Sequence, residues 1–400
     1  NNCHSARNPL VQQGDTLAHI YCQSCHAFPE PSLLDKNTWL LHVLPGMGPR
    51  LGIFNYANVN YPSQKNDRHL PPHYYPSQPV LTMQQWSAIV NYYYALAPDS
   101  VLPQARKEKI IDSLSQFTVI IPADSSSGSP VTSFIQIDPG NHFIYVADGA
   151  NKQLRIYDAH LNLKDTAATV SLVSYLNFTT SLQTPGERKG FLSNIGVLLP
   201  SEIKAGSIQS FTIDKAGKIK IDPALLEDSL HRPIEVLASD FNKDGKIDLL
   251  VCDFGNLSGE LFWMEATADG KWKKHVLRSL PGAIKAYVND YNHDGLPDIW
   301  VLFAQADEGL FLYTNKGNGS FKEQRLLRFP PVYGSSYFEL DDFNKDGYPD
   351  ILYNCGDNAD FSEILKPYHG VYIFLNDGKN NFSQKYFFPI DGCYKAIARD

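Results

Sequence analysis

Two thiols and an imidazole stand together at Cys22, Cys25 and His26, in the order C-x-x-C-H. Thiols at that spacing can each bond one vinyl group of the same porphyrin, and the adjacent imidazole then faces the iron. The pattern reads as the attachment site of one covalent haem c. A zinc site would want a second ligand pair at similar spacing, and none follows. A dithiol-exchange site would want a βαβ setting, which is also missing. For the sixth position on the iron the sequence offers Met47, set between Gly46 and Gly48 and flanked by Pro45 and Pro49. His42, His69 and His73 are its competitors, and a bis-His site would lower the potential.

A second chemistry recurs later. The pattern D-x-N-x-D-G-x-x-D begins at residues 240, 290 and 342, about fifty residues apart. It places hard oxygen donors of the kind calcium takes. In the first copy these are Asp240, Asn242, Asp244 and Asp248, with the carbonyl of Lys246. The second offers Asp290, Asn292, Asp294 and Asp298, with the carbonyl of Leu296. The third offers Asp342, Asn344, Asp346 and Asp350, with the carbonyl of Tyr348. An EF-hand would place Glu at position twelve between two helices. Here that position is Val251, Val301 or Tyr353, and apolar strand patterns flank the loop. Up to three Ca2+ ions in strand-to-strand loops are expected.

The elements that position these groups fall into two kinds. Before and after the C-x-x-C-H run, apolar periodicity predicts helices over Val11–Tyr21, Ser32–Leu44 (Ser32 as N-cap) and Thr82–Ala97. The last carries Trp86, Ile89, Val90, Tyr93 and Tyr94 on one face. With Gly14 ahead of the first Cys, this layout resembles class I cytochrome c domains over about the first hundred residues. Ala18 departs from the aromatic common there, and Tyr21 is expected to fill that role. The aromatic stretch Phe54 to Tyr75 reads as a cover over the haem pocket.

Residues 99–130 read as a linker rich in Pro and Ser, with a short helix over Gln104–Ser113 and a strand over Gln116–Pro122. Beyond it, each acidic loop leads into a short apolar strand, a second strand and a turn. Four short strands per fifty residues is the blade of a β-propeller. Leu154–Tyr157 and Ile208–Phe211 mark two weaker copies, whose loops, Asp138 to Asn141 and Asn194 to Gly196, have lost the ligand pattern. These repeats resemble the FG-GAP/VCBS propellers over about residues 115–400. The expected architecture is thus a small all-α haem domain (1–98) followed by an all-β propeller. Five blades are countable. Because Ala396 to Asp400 repeats the approach to an acidic loop, the natural chain is expected to continue toward about seven.

Composition closes off several classes. A net charge of −8 with no basic run argues against nucleic acid as a partner. No apolar run is long enough to span a bilayer. Covalent haem attachment, on the resemblance, implies an exported bacterial protein, periplasmic or at the outer membrane, with Cys3 marking a lipid anchor nearby. Cys355 and Cys393 are either a disulfide between adjacent blades or buried thiols. Three functions remain open: electron transfer to a redox or outer-membrane protein partner, a surface binding scaffold, and a haem-linked oxidoreductase. No nucleophile elbow or Ser/His/Asp motif is legible.

Overall fold

The structure, a computed structural model, describes residues 8–101, 104, 117–122, 131–179, 187–357 and 364–399. By compactness the chain divides into two units. The first comprises residues 1–108, 302–311 and 325–400, and the second residues 109–301 and 312–324.

In the first unit, α1 (Pro9–Tyr21) starts where Asn8 accepts from the N–H of Leu10 and Pro9 supplies a preset φ. The terminal helix of this region, α4 (Met83–Leu96), opens with a full capping box between Thr82 and Gln85. The two helices cross at Gly14. A Cβ there would lie 2.0 Å from the Ala88 carbonyl oxygen, so only glycine permits the approach. Around the crossing sit Leu17, Ala18, Trp39, Trp86, Ile89 and Tyr93, all buried. Tyr93 donates to the Pro29 carbonyl (2.9 Å), and Trp39 Nε1 donates to that of Pro31 (2.9 Å). Buried polar tips are thereby satisfied while the rings fill the core.

The segment expected as one helix from Ser32 to Leu44 is a succession of short turns. A 3-10 turn spans Pro31–Leu33, α2 covers Lys36–Thr38, a π turn spans Trp39–Val43, α3 covers Leu44–Met47, and a second 3-10 turn spans Gly48–Leu51. Asp35, not Ser32, is the N-cap. Its carboxylate takes the N–H groups of Asn37 and Thr38, while Leu34 is extended and breaks any earlier helix. Within the Phe54 to Tyr75 stretch, β1 (Asn55–Tyr56) and β2 (Val59–Asn60) form a small hairpin.

The rest is five antiparallel sheets of four strands, each in chain order. Blade 1 holds β3 (Thr132–Ile137), β4 (Ile144–Asp148), β5 (Gln153–Tyr157) and β6 (Leu163–Ala168). Blade 2 holds β7 (Val173–Thr179), β8 (Arg188–Asn194), β9 (Gly206–Ile213) and β10 (Ile219–Leu230). Blade 3 holds β11 (Pro233–Ser239), β12 (Asp248–Asp253), β13 (Glu260–Ala266) and β14 (Trp272–Arg278). Blade 4 holds β15 (Ala283–Asn289), β16 (Asp298–Phe303), β17 (Gly309–Asn315) and β18 (Phe321–Arg328). Blade 5 holds β19 (Ser335–Asp341), β20 (Asp350–Cys355), β21 (Gly370–Asn376) and β22 (Phe382–Pro389). In the second unit the first strands pack in succession, β3 on β7, β7 on β11 and β11 on β15, as blades set around an axis require. The second strands β12, β16 and β20 are buried throughout, which explains the apolar runs Leu249–Cys252, Ile299–Phe303 and Ile351–Tyr353 that follow the leading Asp of each.

Two expectations fail here. Residues 117–122 form no strand. Phe117, Val119, Ile120 and Ile121 are exposed, and a β-branched run without a neighbouring ladder has nothing to pair with. Asn194 does not sit in a degenerate acidic turn. It ends β8, buried, donating to Gln209 Oε1 (2.9 Å). The matching turn of blade 2 falls in 180–187, mostly outside the described residues, as do Cys3, Asp400 and most of the expected linker helix. No helix among the described residues is long and apolar enough to cross a membrane.

Candidate functional site

Cys22 is the C-cap of α1, its N–H bonded to the Ala18 carbonyl (2.8 Å), and it packs on the helical core. Burial, helped by the charge of Cys25, pushes its thiol up to about 12. Cys25 is exposed, and neither thiol is in a disulfide. Nδ1 of His26 lies 2.9 Å from the Ala27 carbonyl. With Nδ1 donating there, the tautomer leaves the Nε2 lone pair unused. Burial holds His26 below the usual imidazole range, against the pull of that carbonyl. This donor set, two free thiols and an imidazole oriented from its far nitrogen, fits a covalently attached haem.

Met47 ends α3 and packs on the same core as Cys22. The competing histidines are placed otherwise. His42 and His73 are exposed, and His69 is half-buried with Nε2 facing the Arg68 Nε at 3.1 Å. Of the four candidates, Met47 is the one found on the apolar core against which Cys22 packs.

The three acidic loops share one geometry. The position-one carboxylates, Asp240, Asp290 and Asp342, each accept from the N–H groups of residue five and of the glycine at six. Those glycines, 245, 295 and 347, stand at φ of +85°, +85° and +89°, in the left-handed region. The asparagines at three, 242, 292 and 344, accept from the same residue-five N–H. Asp244, Asp294 and Asp346 accept from residue seven. Asp248 and Asp350 each tie the loop's second residue to the third strand, and Asp298 takes the Asn315 N–H in the same way.

The carboxylates are thus turned onto the loop backbone. Among the described residues no three His, Cys, Asp or Glu side chains converge as a closed metal cage. The charge balance nevertheless fits a cation. Burial raises Asp248 and Asp298, and the other two Asp of each loop raise them further. Oδ2 of Asp298 is buried without a hydrogen-bond donor. In the first loop Lys246 answers Asp244 at 2.8 Å, from a partly exposed position.

One constellation has no signal in the sequence. His231 Nδ1 lies 3.0 Å from Asp253 Oδ2, and its Nε2 lies 3.0 Å from Ser258 Oγ. This order looks like a nucleophile triad. The side chain of Glu202 closes it. Glu202, fully buried, accepts from the N–H groups of Leu257 and Ser258 and from Ser258 Oγ itself. A nucleophile already committed to a carboxylate, with its own N–H taken, is a loop clamp rather than a catalyst. The four residues are spread over more than fifty positions, so only the fold brings them together.

Cys252, Cys355 and Cys393 are buried and unbridged. Cys355 donates to the Tyr368 carbonyl, and Cys393 Sγ accepts from Asn354 (both 3.3 Å). In the first unit a cleft of about 400 Å³ is lined by Phe329, Tyr333, Tyr368, Tyr372 and Phe387, with Arg328 at its edge.

Residues 240–301 and 290–353 match the FG-GAP-like repeat family, and together with the four-stranded sheets they define a β-propeller. Similar solved structures include a protein from Lactobacillus plantarum (12% identity, TM-score 0.44, covering 66% of this chain and 73% of that one). The Dos1 propeller is similar at 11% identity and a TM-score of 0.42, over 66% and 71% of the two chains. Sqt1 of Saccharomyces cerevisiae is similar at 8% identity and a TM-score of 0.41, over 66% and 63%.

Proposed function

We propose that this chain is an exported c-type cytochrome that moves single electrons through one haem, with the propeller as a calcium-braced docking scaffold for a redox partner. The observation that carries the reading is the arrangement at the end of α1, where Cys22 caps the helix and packs on the aromatic core, and the unbridged, exposed Cys25 and the partly buried His26 follow directly in the chain. Cys22 and Cys25 would hold the porphyrin. His26, its Nδ1 fixed by Ala27, would present Nε2, and Met47 would take the opposite side. The haem supplies a one-electron couple when bound. The chain's own contribution is orientation and the exclusion of water by Trp39, Tyr93 and their neighbours. In the propeller, the acidic loops of blades 3 to 5 would each take one Ca2+, and the export setting supplies that ion in excess.

The test is the absorption spectrum of the purified protein, oxidised and reduced, with its denatured mass. A haem retained after denaturation, with the signature of thioether attachment, is expected. Replacing Met47 with Ala should alter the oxidised spectrum while the mass stays unchanged. A protein purified from a host competent for haem attachment that carries no covalent haem would overturn the reading. The aromatic cleft at Tyr333 and Tyr372 favours a second reading, a propeller that binds a ligand in its own right. An unchanged partner affinity after Cys22→Ala and Cys25→Ala would support it.

A further inference from the structure

The three acidic loops share one backbone, but their side chains do not behave alike. In blade 5, Asn344 Nδ2 donates to Asp346 Oδ2 (2.8 Å), and in the loop of blade 4 Asn292 does the same for Asp294 (2.9 Å). In blade 3 the corresponding oxygen of Asp244 is taken by the Lys246 ammonium instead, at 2.8 Å. Asn242 is drawn the other way, its Nδ2 facing Glu265 Oε1 at 3.4 Å.

Two positions account for the difference. The seventh loop residue is Lys246, Leu296 or Tyr348, and only the first carries a charge. The residue whose N–H meets the last Asp is Ala266, Asn315 or Asn376, and the one before it is Glu265, Thr314 or Leu375. Glu265 adds no unanswered charge to its loop, being engaged by His275 Nε2 (2.8 Å) and by Lys273 (3.6 Å).

A neutral amide can turn away from a carboxylate oxygen for the loss of one hydrogen bond. An ammonium has to be displaced, and its like charge then stays beside an arriving Ca2+. The Lys246 and Asp244 side chains are 43% and 31% exposed, so water screens the pair and the penalty is modest.

We infer that Lys246 is a tethered cation, which makes the loop of blade 3 the weakest calcium site of the three and the one least dependent on calcium for its structure. The inference rests on the calcium reading above and ranks its sites.

The experiment is hydrogen exchange of the full chain read by mass spectrometry, in Ca2+ and after chelation. Chelation should speed exchange in 290–298 and 342–350 more than in 240–248. Lys246→Leu, which installs the residue of the second loop, should raise the chelator response of 240–248 by about twofold to fivefold, the range of an exposed ion pair. Tyr348→Lys should lower the response of 342–350 by a similar factor. Equal responses of the three loops in the native protein would overturn the inference. So would a Lys246→Leu loop that exchanges faster by the same factor with and without Ca2+, because that is loosening and not calcium dependence. If no loop of the native protein or of either variant responds to chelation, the calcium reading itself falls, so the two failures are distinct.

Discussion

In blade 1 the turn between the first two strands carries Asp138, and Arg188 from blade 2 meets it at 2.7 Å. The guanidinium comes so close that a Cβ on Gly140 would overlap it. In blades 3 to 5 the same turn carries three Asp each, and no arginine is bonded to them among the described contacts. A third answer appears at Glu308, wholly buried in the first unit, where burial pushes the carboxyl up to about 8 and Ser335 only partly opposes this. One fold therefore handles its carboxylates in three ways. It supplies a guanidinium for Asp138, favours a proton on Glu308, and turns the Asp side chains of each acidic loop onto the loop's own backbone, where we propose that an ion from solution binds. The contrast is informative because the strands on either side are alike. What changes is the number of charges, and a side chain can balance one carboxylate far more readily than three.

Three measurements can break or sharpen that contrast. The largest effect is expected from calcium removal. Each site occupied at a thousandfold excess over its Kd adds about 4 kcal/mol. Chelation should therefore lower Tm steeply, and readdition of Ca2+, but not Mg2+, should restore it. A Tm indifferent to chelator would place blades 3 to 5 with blade 1.

Glu308 comes next. Its folded pKa lies above the unfolded value of 4.5, so the folded state holds an extra proton between about pH 4.5 and pH 8. Its contribution to stability is complete below about pH 4.5 and is lost as pH rises through about 8. The slope is at most about 1.4 kcal/mol per pH unit. Urea titrations across this window should show the slope in the native protein and its loss in Glu308→Gln. Equal slopes in both would mean that the carboxyl is ionised and answered by a cation after all.

Arg188→Ala is expected to be the smallest. It strands the buried Asp138 and should cost about 2–3 kcal/mol, the buried-pair range reduced for the partial exposure of Arg188. The loss should be the same with and without chelator. If calcium compensated for it, the turn of blade 1 would be a fourth ion site.

The legible parts of this molecule are those with local, repeated rules. The spacing of the D-x-N-x-D-G loops announced blades 3 to 5, and the third-strand residues Leu154–Tyr157 and Ile208–Phe211 located blades 1 and 2. Periodicity found α1 and α4, the latter from the apolar, aromatic face that begins at Trp86. The segment 31–51 was not legible, because Asp35 outcompetes Ser32 as a cap and Leu34 is held extended, choices that depend on surroundings. The run at 117–122 has strand composition, but pairing is a property of a neighbour. The Glu202, His231, Asp253 and Ser258 clamp and the Arg188–Asp138 pair join distant positions, for which one sequence carries no signal.

The crossing at Gly14 has a consequence of phase. With no clearance at the Ala88 carbonyl, α1 is free neither to slide along α4 nor to turn on it. Each residue of a helix advances the side chain by about 100°. Inserting one residue between Gly14 and Cys22 would swing the thiol away from the face it shares with Tyr93, while leaving every residue type in the motif unchanged. The spacing from glycine to cysteine thus works as an angular setting, and the five-residue motif is readable only at the bearing that Gly14 defines.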